Sequence, residues 1–304
     1  MNAHIGELAA IGTSIFWTVT AISFEYAARR IGSLALNILR LAVALILFSL
    51  LGLILRGQII PIGAPASLWF WLSLSGLVGF VFGDLFLFQA YIDIGARMTQ
   101  VVFAASPLMT ALIGFALLEE RIAPSGILGM FIVIGGIALV IMDKKKGPIE
   151  AAPASSVPTA RRLRGVLFAL LGALGQAGGL VLSKIGAPSS DPFVATQIRV
   201  IAGLTGFTVV ALLWRKGREP IVALKDRKAM GALSIGAFFG PFLGVSLGLF
   251  AVQRAASGSA ATLMGLTPII ILLPAVFIKK ERISLKEAIG ALAAVVGSTL
   301  LFLA

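Results

Sequence analysis

The sequence predicts an all-α integral membrane protein in which ten transmembrane helices form two inverted repeats of five helices each. Composition is the first indication: 59% of the 304 residues are hydrophobic and only 12% are charged, far from the balance of soluble domains. Ten apolar runs approach the roughly 20 residues that a helix needs to cross a bilayer. Finally, the segment 79–139 returns without a gap as 240–300.

The internal repeat rests on glycines, one proline and a charged triplet that keep their register together. The residues that match at one constant offset are Gly79 and Gly240, Gly83 and Gly244, Pro107 and Pro268, Glu120-Arg121-Ile122 and Glu281-Arg282-Ile283, Gly129 and Gly290, and Gly136 and Gly297. Five spans in each half make the second half enter the membrane from the opposite side. A recurring apolar half is the usual build of secondary transporters.

We expect the spans at 6–27, 34–55, 67–92, 98–118, 124–142, 165–185, 192–214, 229–252, 258–278 and 284–303. All should be helical, because a lipid-exposed backbone must satisfy its own hydrogen bonds and these runs lack the alternation of barrel strands. Residues 1–142 then form the first repeat, 143–164 a basic, proline-containing linker, and 165–304 the second repeat. The first run lacks the features of a cleaved signal and is interpreted as a retained helix.

Lysine and arginine are concentrated in the connections on one side of the predicted membrane. The opposite side carries only Arg56, Arg121, Lys184 and Arg254. Because cytoplasmic loops are enriched in basic residues, the linker should be cytoplasmic and both termini outside. We therefore predict a multi-pass protein of the cell (inner) membrane.

Several functions are disfavoured by what the sequence contains. The net charge of +12 is spread over short connections and forms no single basic face, which argues against a nucleic-acid partner. Without cysteine, and with His4 as the single histidine, thiolate and histidine metal sites are excluded, and we expect no cofactor. The G-x-S-x-G pattern at 244–248 lies inside a span without a histidine partner, so we expect no enzyme activity.

Asp84 is the most informative polar residue, since ionisable groups at membrane depth are costly and usually functional. It lies past the middle of the third span, with Phe88 one turn further along its face. Such a carboxyl group could carry a proton, or it could pair with a buried arginine and remain charged. Its counterpart in the second repeat is Val245, so the feature is not duplicated.

Arg40 and Arg199 occupy matching places in the second and seventh spans, each about two turns from the start of its helix. Either could extend its guanidinium to the interface. A central position would instead let the guanidinium hold an anionic group bidentately. The recurrence in both halves is also compatible with structural anchoring.

Trp17 corresponds to Gln176 in the sixth span once a shift of two residues is allowed. Trp17 lies mid-span, away from the interfacial belt, and is a candidate wall of a substrate cavity or a core residue. Gln176 offers an amide donor and acceptor beside three glycines. Glu25 and Lys184, near helix ends, are expected to be solvated.

Glycines and prolines mark candidate packing and hinge positions. Gly79 and Gly83 lie four residues apart in the third span, as Gly240 and Gly244 do in the eighth; such spacing allows helices to pack closely. Ser106-Pro107 and Thr267-Pro268 interrupt the fourth and ninth spans, where proline removes a backbone donor and frees a carbonyl. Kinks in corresponding helices of two inverted halves suit a midplane binding site.

These features resemble the EamA family of the drug/metabolite transporter (DMT) superfamily. The resemblance is carried by Trp17, Asn37-Ile38-Leu39-Arg40, Ser106-Pro107, Glu119-Glu120-Arg121 and Gly129/Gly136, and again by Gln197-Ile198-Arg199, Thr267-Pro268, Glu281-Arg282 and Gly290/Gly297. It implies ten helices in two inverted bundles around a central cavity. That cavity would receive Trp17, Asp84, Gln176 and the polar groups at Ser106 and Thr267.

The predicted function is that of a permease or exporter that moves small metabolites, such as amino acids, by alternating access. Its partners would be the lipid bilayer, a small-molecule substrate and possible coupling protons; the oligomeric state is left open. The alternative from another class is a flippase for a lipid-linked carrier, which would need a lateral opening between helices.

Overall fold

The computed structural model describes residues 2–118, 123–142, 159–186, 190–254, 263–277, 280 and 283–302. The Glu119-Glu120-Arg121 turn, residues 143–158 of the linker, and Glu281-Arg282 lie outside the described residues. All regular structure in the described part of the chain is helical.

The helices are α1 Asn2–Ile31, α2 Ser33–Arg56, α3 Ala66–Gly76, α4 Leu85–Phe103, α5 Ser106–Leu118, α6 Pro124–Met142, α7 Thr159–Gly186, α8 Pro192–Leu213, α9 Glu219–Ala223, α10 Arg227–Ala237, α11 Val245–Arg254, α12 Thr267–Ile270, α13 Leu272–Phe277 and α14 Leu285–Phe302. Two π-helical segments, π1 Leu77–Asp84 and π2 Phe238–Gly244, join α3 to α4 and α10 to α11.

Six helical stretches among the described residues are long and apolar enough to cross a membrane. They are Ile5–Ile31, Ser33–Arg56, Ala66–Phe103, Pro124–Met142, Thr159–Gly186 and Pro192–Leu213, and two shorter apolar stretches are Ser106–Leu117 and Thr267–Phe277. The stretch Ala66–Phe103 covers the third predicted span and the start of the fourth. It breaks at Gly95, whose φ of 78° and ψ of 158° are non-helical and are readily adopted only by glycine.

Helix ends follow local chemistry that the sequence contains. Asp191 caps α8 by accepting from the backbone N–H of Phe193 at 2.7 Å. At the start of α14, the Glu287 N–H donates to Ser284 Oγ and the Ser284 N–H donates to Glu287 Oε2, each at 3.1 Å. This reciprocal arrangement is a capping box, which satisfies donors at a helix N-terminus.

The prolines of the fourth and ninth spans begin new helices and do not bend continuous ones. A turn at Ala104 and Ala105 ends α4 before Ser106 begins α5. In the second repeat, Leu266 precedes α12, in which Pro268 takes the second position. Proline is well tolerated there because the missing N–H would have no partner within the helix. The break therefore lies just before each proline.

The two π-helical segments occupy matching positions in the two repeats, although the sequence analysis did not predict them. π1 ends at Asp84, and its counterpart π2 ends at Gly244, next to Val245. A π-helical turn bonds each N–H to the fifth residue back and often occurs at functional sites. Pro241 inside π2 removes one backbone donor, which offers a local cause for the irregularity in the second repeat.

Equivalent helices of the two repeats pack antiparallel. A Cβ on Gly136 of α6 would lie 2.7 Å from Gly290 O, and one on Gly297 of α14 would lie 2.5 Å from Gly129 O. Since Gly129 corresponds to Gly290 and Gly136 to Gly297, the same pair of repeat positions meets twice. Such a reciprocal contact is what a two-fold relation produces.

A similar exchange joins two further sets of helices from the two halves. α7 of the second half lies along α3, π1 and α4 of the first, while α1 of the first lies along α10, π2 and α11 of the second. Close approaches run antiparallel in both cases: Gly79 to Gly179 and Gly83 to Gly175, and Gly240 to Thr20 and Gly236 to Phe24. The candidate-site helices π1 and α7 therefore lie where the two halves meet.

Candidate functional site

Asp84 lies at the C-terminal end of π1, where it forms a buried ion pair with Arg40 of α2. The Asp84 and Arg40 residues are only 3% and 4% exposed. Arg40 Nη2 donates to Asp84 Oδ2, and Gln176 Nε2 of α7 donates to Asp84 Oδ1 at 2.6 Å. Both carboxylate oxygens therefore have a donor, one from each half of the chain.

Arg40 is held in place by its own helix and by aromatic rings. Its Nε donates to Asn37 Oδ1, one turn earlier on α2, at 3.0 Å. Its Cζ lies 4.7 Å from the ring centroid of Phe88, 5.6 Å from that of Phe80 and 5.8 Å from that of Phe24. Aromatic faces attract a guanidinium electrostatically, so this cage stabilises the cation without neutralising it.

Asn37 links the pair to the backbone of π1. Its Nδ2 donates to Asp84 O at 3.3 Å and to Ser33 O at 3.0 Å. The Asn37 side chain therefore supplies a donor to the main-chain carbonyl of Asp84 and orients Arg40 at the same time. Asn37, Arg40, Asp84 and Gln176 are called the central network below.

Arg199 of α8 lies beside this network and also contacts Phe80. Its Cζ is 4.9 Å from the Phe80 ring centroid. A Cβ on Gly79 would lie 3.2 Å from Arg199 Nη2 and 3.9 Å from Gln176 Oε1. Arg40 and Arg199, which the repeat relates by sequence, therefore both lie close to one aromatic ring.

Glycines position Gln176 against π1. A Cβ on Gly175 would meet the Gly83 backbone, with the nitrogen at 2.7 Å, and one on Gly179 would lie 2.8 Å from Gly79 Cα. Backbone atoms cannot move aside as side chains can, so α7 and π1 touch directly. This contact brings the amide of Gln176 within reach of Asp84.

Trp17, Ser106 and Thr267 belong neither to the central network nor to its neighbours Phe88 and Arg199. Trp17 is 37% exposed, and its indole lies beside Gly244 of π2, where a Cβ would meet Trp17 Nε1 at 3.6 Å. Ser106 and Thr267 begin α5 and α12, and Thr267 Oγ1 donates to Met264 O at 3.3 Å. No hydrogen bond joins these three residues to Asp84 in the part of the chain that the structure describes.

A set of ion pairs, called the ion-pair belt below, lies at one end of the bundle. It consists of Arg29 with Glu25, Arg30 with Asp226, Arg161 and Arg164 with Asp93, and Arg97 with Glu287. The last three sets join residues of the first half to residues of the second half or its preceding segment. The expectation that Glu25 is solvated was wrong: it is 5% exposed because Arg29 covers it. Lys184 is exposed as expected.

The belt also explains where α7 begins. The helix begins at Thr159 and includes residues assigned from sequence to the linker. Arg164 Nη2 and Nε donate to the two oxygens of the buried Asp93 at 2.8 and 2.9 Å. Because the helix includes these residues, Arg164 lies against Asp93. Asp93 is distant along the chain, so the local sequence does not indicate this contact.

Sequence reasoning missed the residues that support the charged groups. Asn37 precedes Arg40 by three residues and Phe80 precedes Asp84 by four, spacings that place each pair on one helical face. This spacing could have indicated both Asn37 and Phe80 from the sequence. Phe24 comes from α1, and no local pattern indicates that it packs on Arg40.

Comparison with known proteins gives a consistent result. The model of the EamA-like transporter family matches residues 4–142 and again 163–303. The chain is 27% identical over 226 residues to the uncharacterized transporter sll0355 of Synechocystis sp. (strain ATCC 27184 / PCC 6803 / Kazusa), covering 73% of this chain and 68% of that protein. A solved crystal structure matches with a TM-score of 0.62 and 18% identity over 98% of this chain and 96% of its own, which shows a shared fold. Two family matches that together span nearly the whole chain show that it belongs to the EamA-like transporter family, within the drug/metabolite transporter superfamily.

Proposed function

We propose that this chain is a secondary transporter that moves a small metabolite across the cell membrane by alternating access, with the central network as its binding region. The observation that carries the proposal is the origin of the residues in this network and of Arg199, which lies beside it. Arg40 and Asp84 come from the first half, while Gln176 and Arg199 come from the second. Transporters built from inverted repeats bind substrate where the halves meet.

The architecture that this mechanism needs is ten spans in two inverted bundles. The antiparallel contact of α6 with α14 supports the inversion, since these helices occupy the same place in their repeats. The break at Gly95 supports two spans within Ala66–Phe103. The shorter α5 and the α12 and α13 pair would then contribute to the fourth and ninth spans.

The ion-pair belt supports an assignment of the two faces. We assign its end of the bundle to the cytoplasm, because Arg29, Arg30, Arg97 and the linker arginines all fall on the side rich in basic residues. The termini are then outside. Ion pairs between the halves join them at this end, so an opening toward the cytoplasm would require these pairs to separate.

The proposal of proton coupling depends on the pairing of Asp84. In the described conformation Arg40 and Gln176 each donate a hydrogen bond to one oxygen of Asp84. A proton could therefore reach Asp84 only in a conformation in which Arg40 has moved away. Coupling would then be tied to the conformational cycle.

The test is transport by the purified full-length protein in liposomes. Uptake or release of radiolabelled amino acids and organic acids is measured with and without an imposed pH gradient, for the wild type and for Asp84→Asn. Protein-dependent flux that the gradient drives and that Asp84→Asn loses is expected. Flux that does not depend on the pH gradient would refute proton coupling. Scrambling of a labelled lipid without solute flux would favour a flippase.

A further inference from the structure

Arg199 is a cation for which the described residues provide no acceptor. Its Nε is buried without a hydrogen-bond partner in the described part of the chain. Its guanidinium is placed by the face of Phe80 and by the backbone at Gly79. An aromatic ring stabilises a cation but accepts no strong hydrogen bond, so the planar donor fork remains available.

Among the residues that the structure describes, the charges of the central region do not balance. Asp84 is the carboxylate of the central network, and both of its oxygens already bind donors, Arg40 on Oδ2 and Gln176 on Oδ1. Arg40 and Arg199 together bring two positive charges within 5.6 and 4.9 Å of the Phe80 ring centroid. One unbalanced positive charge inside a membrane protein is costly, and such charges are generally paired when the protein works.

We propose that Arg199 binds the anionic group of the transported solute, which makes the substrate class a carboxylate of metabolite size. The inference rests on the proposed transport function and names its substrate class. A carboxylate matches the guanidinium fork with two parallel hydrogen bonds. Arg40 cannot take this role without giving up Asp84, because its Nε and Nη2 are already engaged by Asn37 and Asp84.

Residue 79, which lies against both Arg199 and Gln176, is glycine. Arg199 Nη2 already lies 3.2 Å from the position of a Cβ there, and Gln176 Oε1 lies 3.9 Å from it. A methyl group would fill the space between the two polar groups. The amide of Gln176 connects the Arg199 side of the site to Asp84, so an anion at Arg199 would bind next to the network without replacing Asp84.

The experiment uses four probes that share a phenylpropyl skeleton and differ in charge: 3-phenylpropanoate, phenylalanine, 3-phenylpropanamide and phenylalaninamide. Binding to the purified full-length protein is measured by the shift of the thermal midpoint, since a ligand of the native state raises it. We expect 3-phenylpropanoate, and more weakly phenylalanine, to raise the midpoint. The neutral amide and the cationic phenylalaninamide should leave it unchanged.

Variants of Arg199 connect the charge preference to this residue. Arg199→Gln should weaken the apparent affinity for 3-phenylpropanoate by roughly 10- to 100-fold, the scale of one hydrogen bond to a charged group. Arg199→Lys keeps the positive charge but not the planar fork of donors, so its apparent affinity for 3-phenylpropanoate should fall several-fold. It replaces Arg199→Gln in the experiment if the glutamine variant does not fold. Arg218→Gln, at an exposed arginine beyond the end of α8, is the matched control and should bind like the wild type.

Equal shifts with the acid and its amide would overturn the inference, as would full acid binding by Arg199→Gln or no shift with either acid at 10 mM. The same probes, radiolabelled, separate this result from the transport function. Protein-dependent liposome uptake of the amide without preference for the acid would refute the anion site and leave transport standing. Specific binding of 3-phenylpropanoate without any uptake would support the site and refute transport.

Discussion

Separating Arg40 from Asp84 should destabilise the protein more than removing both charges together. Each single variant, Asp84→Asn or Arg40→Gln, leaves a charged partner in a place where the native residues are 3% and 4% exposed. Breaking a buried pair by removing one partner costs about 3–5 kcal/mol. For a chain of this size, that corresponds to a fall of roughly 10 °C in the thermal midpoint. The double variant should recover most of the loss, because no unpaired charge of the pair remains.

The measurement is a double-mutant cycle on thermal midpoints of the purified protein, followed by transport in liposomes. Arg30→Gln and Asp226→Asn form the control cycle, since that pair is 41% and 24% exposed at its side chains and exposed pairs contribute little. Recovery of stability without recovery of transport would assign the pair to function. Single variants that cost no more than the control, or a double variant that shows the summed loss, would refute the buried pairing.

Three further predictions concern helix contacts, the ion-pair belt and pH. Gly175→Ala should lower the free energy of unfolding by about 1–3 kcal/mol, because the added methyl group overpacks against the backbone of π1. Gly178→Ala, whose Cβ would meet only a Val side chain at 3.2 Å, should be nearly neutral. An equal loss in thermal midpoint for the two variants would contradict the close contact. Because the chain has no cysteine, the double variant Arg30→Cys/Asp226→Cys can be cross-linked specifically with a reducible bis-methanethiosulfonate. The cross-link should stop liposome transport until reductant is added. Unchanged flux in fully cross-linked protein would contradict opening at the belt. The Ala229 N–H and then Arg30 lower the pKa of Asp226, so its ionised form stabilises the fold above the ordinary pKa of about 3.9. The stability difference between wild type and Asp226→Asn should therefore shrink as the pH falls from about 3.9 through the lower pKa of the folded state, and a difference that stays constant over this range would contradict the assignment.

The glycine and proline pattern predicted much of the fold because these residues act through the backbone. Gly129, Gly136, Gly290 and Gly297 were matched by sequence and meet across α6 and α14. Pro107 and Pro268 correctly marked interruptions, although the helices restart at the preceding residues. The π-helical segments escaped prediction, since an extra residue in a helical turn leaves little trace in the apolar pattern.

The candidate site was predicted in its charges but not in its connections. Asp84, Arg40, Gln176 and Arg199 were selected because polar groups are unusual at membrane depth. Which of them would pair was open. Trp17, expected in the same cavity, lies beside Gly244, and its place in the cavity stays a prediction. Glu25 was expected in solvent and is covered by Arg29.

The sequence by itself determined the membrane class, the repeat and the family, because apolar length and backbone-restricting residues act locally and recur at fixed spacing. Tertiary structure decided which charges neutralise one another. Arg40 and Arg199 hold equivalent places in their repeats, yet Asp84 pairs with Arg40, and its counterpart in the second repeat is Val245. Coulomb attraction acts through space and depends on distances that only the packing of α2, α7 and α8 around π1 establishes.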